Sequence, residues 1–298
     1  MMLRALIACT ALMFAAAGDP PAQVGGPKPN QQQKASKPPM LTSASIDSSD
    51  PDGSAFDPQA EAQLLKLANR DRAVAGLPPL APDQGLTRAA RNHALAMADA
   101  KQLSHQFAGE PALTRRIAIA TDLRIDQAGE NVALDVDIAS AQDHLMASPP
   151  HRANLLDPSF NLAGFAVVRS GGRVYVVQDF ARRLSVLSLH QTESMVASAL
   201  NQWRTKHGLT ALTSIAPAEI RDAACGMAQT NTLMTRTIRE LSQGHAVMTY
   251  TQSQPEVLPS GIDRVLASPQ LKQVSVGICF ARGGSYPNGV YWVALQID

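Results

Sequence analysis

The chain has 298 residues and a formal net charge of +1, and 45% of its residues are hydrophobic. This hydrophobic content is enough to build the cores of one or two domains. The balanced charge argues against a nucleic-acid partner, because such a partner is usually bound through a positive field. Aromatic residues make up only 4% of the chain, which argues against stacking platforms for carbohydrate or single-stranded nucleic acid.

Residues 1–18 have the pattern of a secretory signal. Arg4 supplies the positive charge, an apolar run extends from Ala5 to Ala17, and the small residues at its end suit signal peptidase. The run is too short to span a membrane. Cys9 fits a lipobox, but most of the apolar run follows it, so ordinary cleavage is favoured. We therefore expect an exported protein, periplasmic or extracellular, whose mature form has no transmembrane segment.

Residues 19–57 are rich in Pro, Gln, Gly, Ser and Lys and poor in apolar side chains, which predicts a disordered linker. Beyond the linker the chain contains two cysteines, Cys225 and Cys279. An oxidising compartment would permit a disulfide between them. Two buried thiols are the alternative, and the sequence leaves both open because it does not place the two side chains in space.

Ordered structure is predicted to begin at Asp57–Pro58, where a capping residue precedes a proline. The first helix ends at Gly76. The second helix carries a stripe at steps of three and four: Leu86, Ala89, Ala90, His93, Ala94 and Met97. The following patterns predict a loop with Ser104 and His105, a short helix at 113–121, a short strand at 131–136, a helix at 137–147 capped by Asp137, and a β-hairpin formed by 165–168 and 174–180.

The rest of the chain repeats this plan. Five residues recur 132 positions later: Asn69, Arg72, Gly76, Leu77 and Leu80 match Asn201, Arg204, Gly208, Leu209 and Leu212. Two related domains are therefore predicted, at 58–183 and 186–298. The second copy lacks the Gly-Glu-Asn segment at 129–131 and the His-Arg-Ala-Asn-Leu-Leu segment at 151–156. The polar residues of these segments are therefore candidates for a functional site, because the repeated scaffold does without them.

Together these motifs resemble the bacterial branch of the CAP superfamily, which comprises cysteine-rich secretory proteins, antigen 5 and pathogenesis-related 1 proteins and is also called the SCP domain family. The motifs are the Asn69–Arg72–Gly76–Leu77–Leu80 pattern, Ser104–His105, Gly129–Glu130–Asn131 and the segment from Ser148 to Leu156. The resemblance covers residues 58–183. It implies an α/β fold, the α-β-α sandwich of CAP/SCP type, followed by a second, degenerate copy of the same fold.

The resemblance also implies a cleft lined by two histidines and two acidic residues. Carried over to this chain, the histidines are His105 and His151, and the first acid is Glu130. The second acid falls at Ser148, which departs from the animal and plant pattern, and Leu145 stands where the family usually has Trp. The predicted binding cleft therefore consists of His105, Glu130, Ser148 and His151.

The residue types leave the chemistry of this cleft open. His105 and His151 could bind a divalent metal such as zinc through neutral imidazole nitrogens, or each could hold a loop by hydrogen bonds. Glu130 could act as a general base or a ligand, or accept backbone N–H bonds from residues 148–156, which are predicted to form a loop. Asn154 is expected to cap local backbone. His93 is predicted to be a core histidine, because Met227 takes its place in the second copy.

Three functions fit these residues. The favoured one is a binding module for a metal or a small ligand, with a lipid included because family members have been linked to sterol binding. The second is a hydrolase that uses the same residues, or Ser104 or Ser148 as a nucleophile, although no Gly-x-Ser-x-Gly elbow is present. The third is a cell-envelope interaction protein, whose second domain packs on the first domain or on an envelope partner. Binding is favoured over catalysis, and whether the protein is an enzyme stays open.

Overall fold

The computed structural model describes residues 56–283 and 285–298. The predicted signal segment at 1–18, Cys9 and all but the last two residues of the predicted linker at 19–57 lie outside the described residues. The elements of the N-terminal half, residues 56–183, are α1 (Pro58–Val74), β1 (Ala81–Pro82), α2 (Gln84–Ala100), α3 (Leu113–Ala120), β2 (Ile125–Asp135), α4 (Ile138–Ala147), α5 (Pro149–Leu155), β3 (Leu162–Ser170) and β4 (Arg173–Arg183).

The strands of the N-terminal half form one sheet in the order β1-β3-β4-β2. β1 runs parallel to β3, and the other neighbours are antiparallel. Side chains alternate across β4, so Val174 and Val176 pack with α1 and α4, whereas Tyr175 and Val177 pack with α2. Helices therefore cover both faces of the sheet, which confirms the predicted α-β-α sandwich.

The predicted helices agree closely with the structure, because their ends are set by local hydrogen bonds. The Asp57 and Asp137 carboxylates accept from backbone N–H groups in the first turns of α1 and α4. Two predictions were wrong. β2 is longer than the predicted strand at 131–136, and residues 149–155 form helix α5 rather than a loop. The prolines at the start of α5 suit a first helical turn, where no N–H partner is needed.

The C-terminal half, residues 188–298, has the same sheet order, β5-β7-β8-β6. Its elements are α6 (Leu189–Lys206), β5 (Thr213–Ile215), α7 (Ala218–Thr230), α8 (Arg236–Leu241), β6 (Ala246–Gln252), α9 (Asp263–Leu266), β7 (Gln273–Gly283) and β8 (Tyr286–Ile297). Here too one parallel pair joins the first strand to the hairpin, and the remaining pairs are antiparallel. Only the short α9 lies between β6 and β7, where the N-terminal half has both α4 and α5.

A glycine fixes the distance between sheet and helix in each half. A Cβ atom on Gly164 would lie 2.1 Å from the backbone of α2 at Leu86, and one on Gly277 would lie 2.3 Å from the backbone of α7 at Ile220. No side chain fits at either position. Gly164 and Gly277 therefore occupy equivalent positions, and the two halves can be aligned on them. The close contact at Gly164 also places the later residues of α2 directly over the sheet.

Two buried arginines perform the same task in the two halves. Arg72 is fully buried and donates only to carbonyl groups, those of Pro78, Leu155, Asp157 and Phe160, at 2.8 to 3.2 Å. Arg204 is likewise buried and donates to the carbonyls of Thr210, Leu266 and Ser268 at 2.7 to 3.0 Å. Each guanidinium ties the first helix of its half to the segment that precedes the hairpin.

Cys225 of α7 and Cys279 of β7 form a disulfide, which decides between the two alternatives left by the sequence. The bond holds the helix against β7, one of the two inner strands of the C-terminal sheet. Among the described residues, none of the helices combines the length and hydrophobicity that a membrane crossing requires.

We expect Arg72→Ala to destabilise the protein by about 3 kcal/mol or more, because it leaves several buried carbonyl groups without a donor. Urea unfolding followed by circular dichroism measures this loss. Arg70→Ala is the matched control, since Arg70 is 58% exposed and bonds only its neighbour Asp71. Equal stability of the two variants would contradict a structural role for the Arg72 guanidinium.

Candidate functional site

Glu130 lies in the middle of β2, which is an edge strand of the sheet. It shares a face with Val132, which packs under α2, whereas Asn131 and Ala133 point to the opposite face. The Glu130 side chain is only 4% exposed. A carboxylate this deeply buried requires partners that replace water.

Two cationic or polar side chains supply those partners. Arg116 of α3 donates through Nη2 to Glu130 Oε2, and the two groups form a buried ion pair. His105 Nδ1 lies 2.9 Å from Glu130 Oε1. Since a carboxylate only accepts, Nδ1 is the nitrogen that carries the proton, and Nε2 of the neutral ring is left with its lone pair. The His105 side chain is 59% exposed, so this nitrogen is presented towards solvent.

The loop that carries His105 is held by a second set of hydrogen bonds. His93 is completely buried in α2 and bonds the Ser104 carbonyl oxygen at 2.8 Å and Glu110 Oε1 at 2.7 Å. Arg116 donates through Nη1 to the His105 carbonyl at 3.1 Å. His93 is therefore in the core, as predicted, but it also positions the residue next to His105 and lies 4.0 Å from Glu130.

His151 reaches the site from the other side of the sheet edge. It lies in α5, its Nδ1 is 2.9 Å from Ser148 Oγ, and its carbonyl accepts from the Asn131 amide at 3.0 Å. Burial, and after it the charge of His105, lowers the pKa of His151 below its ordinary value of 6.5. Because the charge of His105 contributes to this shift, the two imidazoles lie within electrostatic range of each other.

Asn154 holds α5 against this strand. Its amide donates to the Glu130 carbonyl at 3.1 Å and to Asn131 Oδ1 at 3.0 Å. The expectation that Asn154 caps local backbone was therefore wrong, as was the alternative that the Glu130 carboxylate accepts backbone N–H groups from residues 148–156. The bonds instead run from a helix to the edge of the sheet, which fixes His151 relative to Glu130.

Asp179 completes the cluster and was missed by the sequence reasoning. It is fully buried in β4, in register with Glu130 on one side and Gly164 on the other. Neither of its carboxylate oxygens has a hydrogen-bond partner within the described part of the chain. Burial, followed by the Glu130 carboxylate, raises the pKa of Asp179 well above its ordinary value, although Arg116 opposes the shift. A charged residue inside an apolar strand was the available sequence signal.

The C-terminal half shows what the scaffold looks like without this cluster. The strand registers align Asp179 with Ala294 and Glu130 with Thr249, because Gly277 pairs with Ala294 and Ala294 with Thr249. Leu86 of α2 and Ile220 of α7 make the close contact with the sheet in their halves. Seven residues further on, α2 has His93 and α7 has Met227. The same topology therefore forms with apolar or neutral residues at the three positions equivalent to Glu130, Asp179 and His93.

Residues 65–180 match the family model described as CAP, the cysteine-rich secretory protein family. Residues 65–180 of this chain are therefore a CAP domain. No curated protein matches the chain.

Several solved structures are similar to this chain. An extracellular protein with an SCP domain from Bacillus anthracis is 29% identical over 42% of this chain and 41% of its own, with a TM-score of 0.39. A cysteine-rich secretory protein from Staphylococcus aureus is 22% identical over 42% and 39%, with a TM-score of 0.35. Na-ASP-1 is 8% identical over 82% and 90%, with a TM-score of 0.48. The matches thus cover less than half of either bacterial protein.

The side chains of the CAP cleft offer few ligands for a metal ion. Within the described residues, no group of three or more His, Cys, Asp or Glu side chains is arranged to hold one. Glu130 is occupied by Arg116 and His105, which leaves the free ring nitrogens of His105 and His151 as donors. Two imidazoles fit an open site completed by water, and they do not fit a closed structural zinc site with four protein ligands.

A serine nucleophile is not assembled in this CAP domain. The Ser104 hydroxyl donates to the Gln106 carbonyl at 2.8 Å. Ser148 bonds His151, but the histidine oriented by Glu130 is His105. The three groups of a Ser-His-Glu triad therefore belong to two separate pairs, and the hydrogen-bonded chain from acid to base to nucleophile is interrupted.

Replacing His105 by Asn should raise the pKa of His151, because the variant removes a neighbouring positive charge. The pKa should stay below its ordinary value, since burial is the larger cause of the shift. An NMR titration of the His151 ring measures both effects. His144→Asn is the control, because His144 is 73% exposed and pairs with Asp135. An unchanged His151 titration in His105→Asn would show that the two rings do not share a cleft.

Asp179→Asn should stabilise the protein at neutral and higher pH by about 1 kcal/mol or more, because buried ionisable groups commonly cost stability. The unfolded chain releases the Asp179 proton around 3.8, whereas the folded protein holds it to a higher pH. The wild type should therefore lose stability relative to the variant as pH rises through that interval.

Urea unfolding of both proteins between about pH 4 and pH 8 tests this difference. Asp143→Asn serves as the control, since Asp143 is exposed on α4. A stability difference between Asp179→Asn and wild type that does not change with pH would contradict a buried, protonated Asp179.

Proposed function

We propose that the chain is an exported CAP-domain protein that binds a small ligand or a divalent cation such as zinc in the cleft between His105 and His151. The single observation that carries this proposal is the buried Arg116–Glu130–His105 arrangement. It fixes the proton of His105 on Nδ1 and turns an unprotonated Nε2 to solvent.

The state of His151 supports binding at neutral pH. Its pKa is lowered, so a larger fraction of the ring is neutral than in an exposed histidine. A neutral imidazole is the form that coordinates a cation or accepts a hydrogen bond from a ligand. Ser148, beside His151, offers a hydroxyl to the same ligand. The four predicted cleft residues would then act together, with Glu130 as the buried group that orients His105.

Two further parts of the proposal rest on the remaining features. Export is supported by the secretory pattern of residues 1–18 and by the Cys225–Cys279 disulfide, a bond that persists in oxidising compartments. A two-domain organisation, with boundaries at 58–183 and 186–298, is supported by the identical strand order of the two sheets. Lipid and envelope components are the other ligand classes that an exported protein would meet.

A hydrolase is the second candidate, and one observation favours it. Glu130 orients His105 as a carboxylate orients a general base, so His105 Nε2 could activate a water molecule. No nucleophilic serine is joined to this pair in the described residues. The binding function is preferred because it needs only the groups that the cleft contains.

Zinc titration by calorimetry should give uptake by the wild type and at least about tenfold weaker binding by His105→Ala and by His151→Ala, because each removes one of two protein donors. Glu130→Gln should weaken binding by about tenfold or more through the orientation of His105. His144→Ala, which changes an exposed histidine outside the cleft, should bind like the wild type.

Failure of the wild type to take up zinc would remove the metal from the proposal. Activity of the wild type in a panel of esters and peptides, lost in Glu130→Gln, would replace binding by hydrolysis as the function of the cleft.

A further inference from the structure

The segment 121–126, which we call the connector, joins the two elements that supply the buried ion pair of the cleft. α3 ends just before it and carries Arg116, and β2 begins within it and carries Glu130. Any change in the path of the connector would therefore shift one partner of this ion pair relative to the other. Side chains of the C-terminal half contact the connector at three successive points.

The first contact is made by Arg282 of β7. Its guanidinium donates to three consecutive carbonyl groups of the connector, those of Thr121, Asp122 and Leu123. The bonds to Thr121 and Leu123 are 3.3 and 2.8 Å long. Carbonyl groups just beyond a helix end lack helical partners, and a guanidinium is well suited to satisfy several of them at once.

The second contact places a connector side chain on the C-terminal sheet. The Arg124 guanidinium lies 4.7 Å from the ring centre of Phe280 and 4.5 Å from that of Tyr291. It also donates to the Ser185 carbonyl, between the two halves, at 2.8 Å. An arginine that lies over two aromatic rings is a typical strong contact of protein interfaces.

The third contact lies at the start of β2. Asp126 is 3% exposed, and both its oxygens accept from Arg182 of the same sheet. Gln254 adds a bond of 3.0 Å and Ser253 a bond of 3.4 Å from the C-terminal half. Burial raises the pKa of Asp126, but the hydrogen bonds from Arg182 and Gln254 outweigh it and the net shift is downward. This carboxylate is therefore held ionised by groups from both halves.

The alignment of the two halves shows that these contacts are special to the C-terminal half. Counted from Gly164 and Gly277, Arg282 occupies the position of Arg169, whose side chain only bonds Asp57 on the surface. Phe280 stands at the position of Val167, which is fully buried under α1 and α4. In the C-terminal half α4 and α5 are replaced by the four-residue α9, so this face of the sheet is left open for Arg124.

We propose that the C-terminal half acts as a built-in docking partner that holds the connector and thereby positions Arg116 and Glu130 under His105. The docking surface consists of Ser253, Gln254, Phe280, Arg282 and Tyr291. Its partner is the connector of the same chain, recognised through its free carbonyl groups, the Arg124 guanidinium and the Asp126 carboxylate. The C-terminal half would hold the connector in this way whichever ligand the cleft binds.

The test compares full-length Arg282→Ala with wild type by amide hydrogen exchange and by NMR of the histidine rings, without added ligand. We expect exchange at residues 121–127 to accelerate on the order of tenfold, since several charge-assisted hydrogen bonds are lost. The His105 ring resonances should shift towards those of Glu130→Gln. The His144 resonances and the exchange of β7 and β8 should stay as in wild type.

Arg264→Ala is the matched control, because Arg264 is an exposed arginine of the same half. Arg282→Lys keeps the charge but loses the forked donor, so its connector should exchange at an intermediate rate. This variant replaces Arg282→Ala if the latter does not fold. Wild-type exchange and wild-type His105 resonances in the folded variants would overturn the proposal, whatever the outcome of the zinc titration.

Discussion

A carboxylate inside a protein needs charge and hydrogen bonds in place of water, and this requirement at Glu130 organises the whole cleft. Arg116 balances its charge, and His105 occupies its second oxygen. To bring both groups to an edge strand, the chain must fold the loop after α2 back over the sheet. His93 supports that fold by bonding Ser104, and Arg116 supports it by bonding the His105 carbonyl. The exposed imidazole is therefore the outer end of a buried network.

The buried polar residues of the protein fall into two groups, those present in both halves and those present in the N-terminal half alone. Asn69 and Arg72 pair with backbone groups, and their counterparts Asn201 and Arg204 make the same bonds in the other half. These residues serve the fold. The acid pair Glu130 and Asp179 has no counterpart, although strand order and register are shared. Buried ionisable groups that the scaffold can replace by Thr and Ala are a cost in stability, and such a cost is expected where a site is kept.

The sequence predicted those features whose causes are local. Helix caps and the hairpin follow from neighbouring residues. The partners of Glu130 could not be predicted in this way, because Arg116 and Asp179 reach it only through the packing of α3 and the pairing of β2 with β4. The length of β2 was underestimated for a related reason. The first residues of β2 include polar side chains, such as Asp126, that are buried by contacts with other elements. This part of the strand therefore lacks a continuous apolar pattern.

The segment between β6 and β7 of the C-terminal half is short, and this affects the surface of its sheet as well as the cleft. Removing the equivalents of α4 and α5 uncovers apolar and aromatic surface on one face of its sheet, and such a surface must be covered by another group. Phe280 and Tyr291 lie in that region, and the Arg124 guanidinium covers them. In the N-terminal half the position equivalent to Phe280 is Val167, which is buried under α1 and α4. The shorter segment between β6 and β7 thus lacks the residues of one site and leaves a surface on which the connector between Arg116 and Glu130 rests.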